Sequence, residues 1–215
     1  DSRITIWERD QPAPGLPDLN TTFQFDRYRH PNDPGRPFTK SRHIIGAGSV
    51  SPDGTGINSF GAYFLVDPGG NKEFLFRDDG NPSPAVEGVA EAGTFGVSHL
   101  DMNENLDIAM TAILRVEGET PRASVWLRRF GGELQLVALV GMPVQTVGST
   151  EPTTFTSFRG VPWLDDSGNL YFDAEVEGSE DYTIWKYRAE DDLFEPVGPA
   201  VGSPMPGVEG AVLLS

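Results

Sequence analysis

The sequence predicts an all-β fold: a β-propeller-like array of about three four-stranded meander blades, with an N-terminal closing strand and a C-terminal lead-in strand. Three observations predict it. Short runs alternate apolar and polar residues, the period of a strand with one face buried. Gly (25) and Pro (18) are both frequent among the 215 residues and dispersed along them, as turn residues between short strands are. A single pattern also recurs along the chain, which is the mark of a repeat architecture.

The recurring pattern is easiest to see at its prolines. "DQPAPG" holds Pro12, "GNPSPAVEG" Pro82, "GMPVQTVG" Pro143 and "GSPMPG" Pro204, in steps of about 70, 61 and 61 residues. Each interval opens on an aromatic segment: "TFQF" from Thr22, "TFGV" from Thr94, "TFTSF" from Thr154. "LDMNENLDIAMTAIL" from Leu100 and "LDDSGNLYFDAEV" from Leu164 then share a Leu-Asp, a polar turn and an alternating strand. Leu106, Ile108, Met110 and Ala112 form one face of the first strand, and Leu170, Phe172, Ala174 and Val176 one face of the second. The first interval carries a weaker copy at Ile57, Phe60, Ala62 and Phe64. A Trp-bearing strand follows in each later interval (Trp126, Trp185), then a tight turn and a closing run, "LQLVALV" or "LFEPV". Asp, Asn and Gly in the links accept the left-handed conformations that tight turns need. The division is a closing strand over 1–15, units over 16–84, 85–145 and 146–207, and a terminal strand over 208–215.

The two ends are phase-shifted. "RITIWERD" at 3–10 reads as the last strand of a unit, and "GAVLLS" at 210–215 as the first strand of another. An open strand edge invites pairing, within the chain to close a ring or between chains to build a ring or filament. Ile4, Ile6, Trp7, Val212, Leu213 and Leu214 are the interface residues this implies. Arg27, Arg29, Arg36, Lys40 and Arg42, the basic cluster of an otherwise acidic chain, join them as a surface for the acidic body of another copy.

The unit from "TFTSFRGVPWLDDSGNLYFDAEVEG" to "GSPMPG" resembles a family of secreted bacterial tandem-repeat proteins. Their units read as an aromatic opening, "LNDAGxVAFxAxL" and a closing "GDPAPG". The likeness covers most of 22–207, good in the second and third units and loose in the first. It implies a propeller-like fold and export to the cell surface or medium, and no particular chemistry.

Charge and composition exclude several function classes. Lys and Arg number 16 against 32 Asp and Glu, a formal net charge of −16, which repels a phosphate backbone. No apolar run approaches the roughly 18 residues of a membrane-spanning helix. Without cysteine there is no disulfide, no thiolate metal site and no Cys nucleophile. His30, His43 and His99 form no HExxH pair, and no serine stands in a nucleophile elbow. "GAGSV" at 46–50 reads as a loop.

Two sets of candidate residues remain. Asp101, Asn103 and Asn105, with Asp165 in the next unit, have the spacing of the first ligands of a Ca²⁺ loop, although its Gly and bidentate Glu are missing; hairpin turns that satisfy their own backbone explain the same residues. Trp163, Tyr171 and His99 are the ligand-binding candidates, because exposed rings stack on sugars. Trp163 has no copy in the second unit, where His99 stands. Trp126 and Trp185 recur at equivalent positions and are read as core. The expected function is a non-catalytic extracellular structural or binding protein that self-associates through its terminal strands. The alternative is a carbohydrate-binding or carbohydrate-active propeller, lectin or glycoside hydrolase.

Overall fold

In a computed structural model the described residues are 12–13, 16–22, 43–51, 60–77, 93–179 and 181–197, and among them no helix occurs. They form three antiparallel meander sheets, each a run of strands in chain order. The first holds β1 (Pro12–Ala13), β2 (Leu16–Thr22), β3 (Ile44–Ser51), β4 (Phe60–Val66) and β5 (Lys72–Arg77). The second holds β6 (Gly93–Met102), β7 (Ile108–Val116), β8 (Arg122–Arg128) and β9 (Leu134–Leu139). The third holds β10 (Pro143–Val144), β11 (Thr153–Leu164), β12 (Leu170–Val176), β13 (Thr183–Arg188) and β14 (Leu193–Pro196). This is the all-β, propeller-like, blade-by-blade arrangement the alternation predicts.

One turn occurs three times and fixes how the units correspond. In residues 67–71, Asp67 Oδ1 accepts the N–H groups of Gly69 and Asn71, and Oδ2 accepts Asn71 Nδ2. In residues 165–169, Asp165 Oδ1 accepts Ser167 and Asn169, and Oδ2 accepts Asn169 Nδ2. In residues 103–107, Asn103 Oδ1 accepts Asn105 and Asp107, and Asn103 Nδ2 donates to Asp107. The fourth residue of each turn has positive φ: Gly70 (86°), Leu106 (66°) and Gly168 (83°). Asp and Asn favour this turn because a short side-chain oxygen caps the backbone two and four residues on.

This correspondence corrects the repeat read from sequence. Asp165 matches Asn103, two residues beyond the Asp101 that the shared Leu-Asp suggests. Trp163, paired with Tyr171, matches Asp101, paired with Ala109, so His99 is not the counterpart of Trp163. In the first unit the turn follows β4, so the apolar run at 60–66 is the lead-in strand and β5 the alternating one. "GAGSV" at 46–50, read as loop, lies within β3. The proline motifs at Pro12 and Pro143 pair forward, Pro12 with Asn20 and Pro143 with Thr154, so each stands at the start of a sheet. Proline at a sheet edge leaves no ladder donor unused.

The second sheet is buried on both faces, which is why β7 is apolar at nearly every position. Ile108, Met110, Ala112, Leu114 and Trp126 pack with Tyr63, Leu65, Leu75 and Phe76 of the first sheet. Ala109, Val125, Leu127 and Ala138, from its other face, pack with Phe155, Leu170, Phe172, Trp185 and Phe194 of the third. Each fully buried side chain of this size contributes roughly 1.5–3 kcal/mol. Phe155 is the hub, its ring centre 5.3 to 5.6 Å from those of Trp185, Phe194, Phe158 and Phe172. Trp126 and Trp185 are both core, as their recurrence predicts.

The segment 143–147 almost closes the third sheet on itself. Its start pairs with β11, and then Val147 N–H donates to the Phe194 carbonyl (2.8 Å) while Phe194 N–H donates to Gln145 (3.0 Å). The outer edge of β14 is thereby partnered at Phe194, which protects it from foreign strands.

Candidate functional site

Two places gather the residues singled out from sequence. The first is the junction of turns 103–107 and 165–169. Asn103 Nδ2 donates to the Asp165 carbonyl at 3.0 Å and Asn105 Nδ2 to the Asp166 carbonyl at 2.9 Å. Leu164 N–H donates to Asp101 Oδ2 at 2.8 Å. Asp107 then gathers Arg129 Nη1 (2.8 Å) and the Phe130 N–H (3.0 Å). Asp101, Asn103, Asn105 and Asp165 do come together, as a Ca²⁺ reading expects, but Asp101 Oδ2 and the Nδ2 groups of Asn103 and Asn105 hold backbone across the junction of two sheets, while the Asp165 carboxylate is taken up by Ser167, Asn169 and Tyr171 of its own sheet. Burial pushes the Asp165 carboxyl up, and its hydrogen bonds from Asn169, Tyr171 and Ser167 outweigh this and hold it below the ordinary value. Among the described residues no group of three or more His, Cys, Asp or Glu side chains is placed to hold a metal ion. What the arrangement does is latch sheet to sheet: Asn at 103 and 105 supplies the donors that the matching Asp67 and Gly69 of the first turn lack.

The second place is the outer face of the third sheet, turned away from the core. It can be set against its counterpart in the second sheet strand by strand. Met110 faces Trp126 as Phe172 faces Trp185, so Ala109, Thr111, Val125 and Leu127 match Tyr171, Asp173, Ile184 and Lys186. The first four are buried between two sheets. Their matches lie on a face where Ile184 is 38% and Trp163 39% exposed. Trp163 and Tyr171 stack at 5.1 Å with 9° between ring planes, and Tyr171 Oη reaches Asp165 Oδ2 at 3.2 Å. Beside them β11 bulges: Arg159 faces Asp173 and Trp163 faces Tyr171, so residues 160–162 lie opposite Phe172 alone. A positive φ of 71° at Gly160 makes this bulge, and a Cβ there would stand 3.7 Å from Asp173 Oδ2.

Asp173 thus lies over the bulge, and among the described residues its carboxylate receives no hydrogen bond. Burial pushes its carboxyl above the ordinary range, and the Arg159 charge offsets this only in part. The Arg159 guanidinium sits 5.4 Å from the centre of the Tyr182 ring, whose hydroxyl is 2.7 Å from Ser157 Oγ. The sequence pointed to Trp163 and Tyr171, and the structure brings them together. His99 is elsewhere, in the second sheet, its Nδ1 3.1 Å from Thr111 Oγ1. Arg159, Asp173 and Tyr182 were missed; the one signal for them was Asp173 and Lys186 standing where the matching strands carry Thr111 and Leu127.

Ile4, Ile6, Trp7, Arg27, Arg29, Arg36, Lys40, Arg42, Val212, Leu213 and Leu214, proposed from sequence as an interface, lie outside the described residues. No helix among the described residues is long and apolar enough to cross a membrane.

Residues 13–206 match a family of unknown function, DUF7453, and the chain belongs to that family. Neither the curated proteins nor the solved structures include a match to this chain.

Proposed function

We propose that this member of a family without an assigned activity is an exported, non-catalytic binding protein. It offers the outer face of its last described sheet to a ligand. One observation carries the reading. Where the second sheet has Ala109, Thr111, Val125 and Leu127 buried under a neighbour, the third has Tyr171, Asp173, Ile184 and Lys186. An outward sheet face needs polar residues for solubility, but solubility alone does not call for a stacked Trp–Tyr pair and a half-buried carboxylate. Net charge of −16 speaks for a partner other than nucleic acid. The test is retention on purified bacterial cell-envelope material. Ile184→Asp and Trp163→Ala should each lower retention about tenfold or more, since each removes apolar contact at the centre of the face. Undiminished retention of both variants overturns the reading.

Self-association through the chain ends is the second reading. It is favoured by the place of β1, at the edge of the first sheet, with the alternating segment "RITIWERD" at 3–10 shortly before it in the chain. Light scattering after size exclusion should give a mass above one chain that falls on dilution. A single-chain mass across the whole concentration range removes this part.

A further inference from the structure

We infer that the ligand of the outer face is a neutral pyranose glycan, held between the Trp163–Tyr171 stack and the Asp173 carboxylate. The inference rests on the reading of this face as a binding surface and names what it binds. Three features converge on a sugar. Trp163, standing 39% exposed beside the Tyr171 ring, offers an apolar surface for the C–H face of a pyranose. Asp173 supplies an acceptor with open lone pairs, and the hydroxyls of a sugar ring are the donors that suit a carboxylate pair of oxygens. Arg159, opposite Asp173 on the adjacent strand and held over the Tyr182 ring, supplies donors for hydroxyl or ring oxygens.

The bulge explains why the site is where it is. With Gly160 at positive φ there is no side chain between β11 and the carboxylate, so a flat ring can approach Asp173 from the solvent side. In the second sheet the matching positions are Asp101, Ala109 and Thr111, and that face is covered by the third sheet, so of these two sheets only the third presents the site. Charge selects among glycans. On this face Asp173, Glu175 and Glu195 are matched in number by Arg159, Lys186 and Arg188, so the negative field is that of the whole chain, net −16. Uronate-rich and sulfated polymers are repelled, and neutral chains are not.

The experiment is a titration with neutral hexasaccharides of β-linked glucose and of β-linked N-acetylglucosamine, with an oligogalacturonate as the anionic control. Calorimetry and tryptophan fluorescence are read together, because Trp126 and Trp185 are buried and Trp163 is exposed, and Trp163→Ala separates its signal from that of Trp7. Binding of at least one neutral chain is expected, with little of the oligogalacturonate. Trp163→Ala and Asp173→Asn should each weaken it about tenfold, the second by removing a charged acceptor. Both variants are checked for native melting behaviour, and Asp173→Asn is expected to melt no lower than wild type, so its loss of binding cannot be loss of fold. Neutral chains that bind both variants as tightly as wild type overturn the inference, as does an absence of binding by every neutral chain at millimolar concentration. If no glycan binds while Ile184→Asp still lowers envelope retention, the sugar is wrong and the face stands. If Ile184→Asp is silent as well, both fall.

Discussion

Gly168→Ala tests the latch between the second and third sheets. Gly168 has φ +83°, and a Cβ built there lies 2.6 Å from Arg129 Nη1 and 3.4 Å from Asp107 Oδ2. The left-handed backbone alone costs alanine about 1–2 kcal/mol. The 2.6 Å approach adds a second cost, since Arg129 must move away and abandon its 2.8 Å bond to Asp107. The Arg129 side chain is 39% exposed, so water replaces part of what is lost, and this second term is about 1 kcal/mol rather than the 1.5–3 of a sequestered charged bond. Gly178 provides the control, with φ +82° and nothing within 4 Å of its would-be Cβ. Thermal melts should therefore place Gly168→Ala about 5–10 °C and Gly178→Ala about 3–6 °C below wild type. In an Arg129→Ala background the difference between the two should vanish. Equal losses in the wild-type background, or an excess that survives removal of Arg129, would refute the reasoning.

Three more outcomes follow from the same geometry. Asn103→Asp removes the donor to the Asp165 carbonyl and sets a carboxylate beside Asp107; urea unfolding at pH 7 should show a loss of about 2–4 kcal/mol, partly recovered near pH 4. Leu106 is buried in the core yet held at φ 66°, so in Leu106→Gly relief of strain offsets lost burial, and the net loss should stay under about 2 kcal/mol, against 2–5 for an ordinary buried leucine truncation. Asp173 has its folded pKa above the ordinary 3.8, so the native state binds the proton more tightly than the unfolded chain, and ionisation removes stability as pH rises through that window. Asp173→Asn should accordingly raise the melting temperature at pH 7, with the gain fading below pH 3.8, where both states are protonated; a gain independent of pH contradicts it.

Much of the fold was legible because it rests on local rules. Period-two alternation in β12 has one cause, a face turned to a core, whereas β7, which the same reading expects to bury one face, is buried on both; the Asx turns leave their mark as Asp or Asn followed four residues later by Asn or Asp. The error in unit correspondence has a physical origin too. "LDMN" and "LDDS" look alike as letters, but the turn begins where a side-chain oxygen can cap two backbone N–H groups, and that is Asn103 in one case and Asp165 in the other. "GAGSV" was misread because glycines suggest a loop, whereas β3 gains its place from seven residues paired with β4.

What the sequence by itself determined is the fold class and the cadence of strands and turns, since side-chain periodicity, proline and Asx chemistry act over a few residues. What only the tertiary structure decided is which faces meet. Val125 and Ile184 are both apolar residues at equivalent places in equivalent strands, yet one lies under a neighbouring sheet and the other is 38% exposed. Burial depends on what stands opposite, and no local pattern encodes that. For the same reason Asp173 acquired the burial that raises its carboxyl, and its place opposite Arg159, only in the folded sheet.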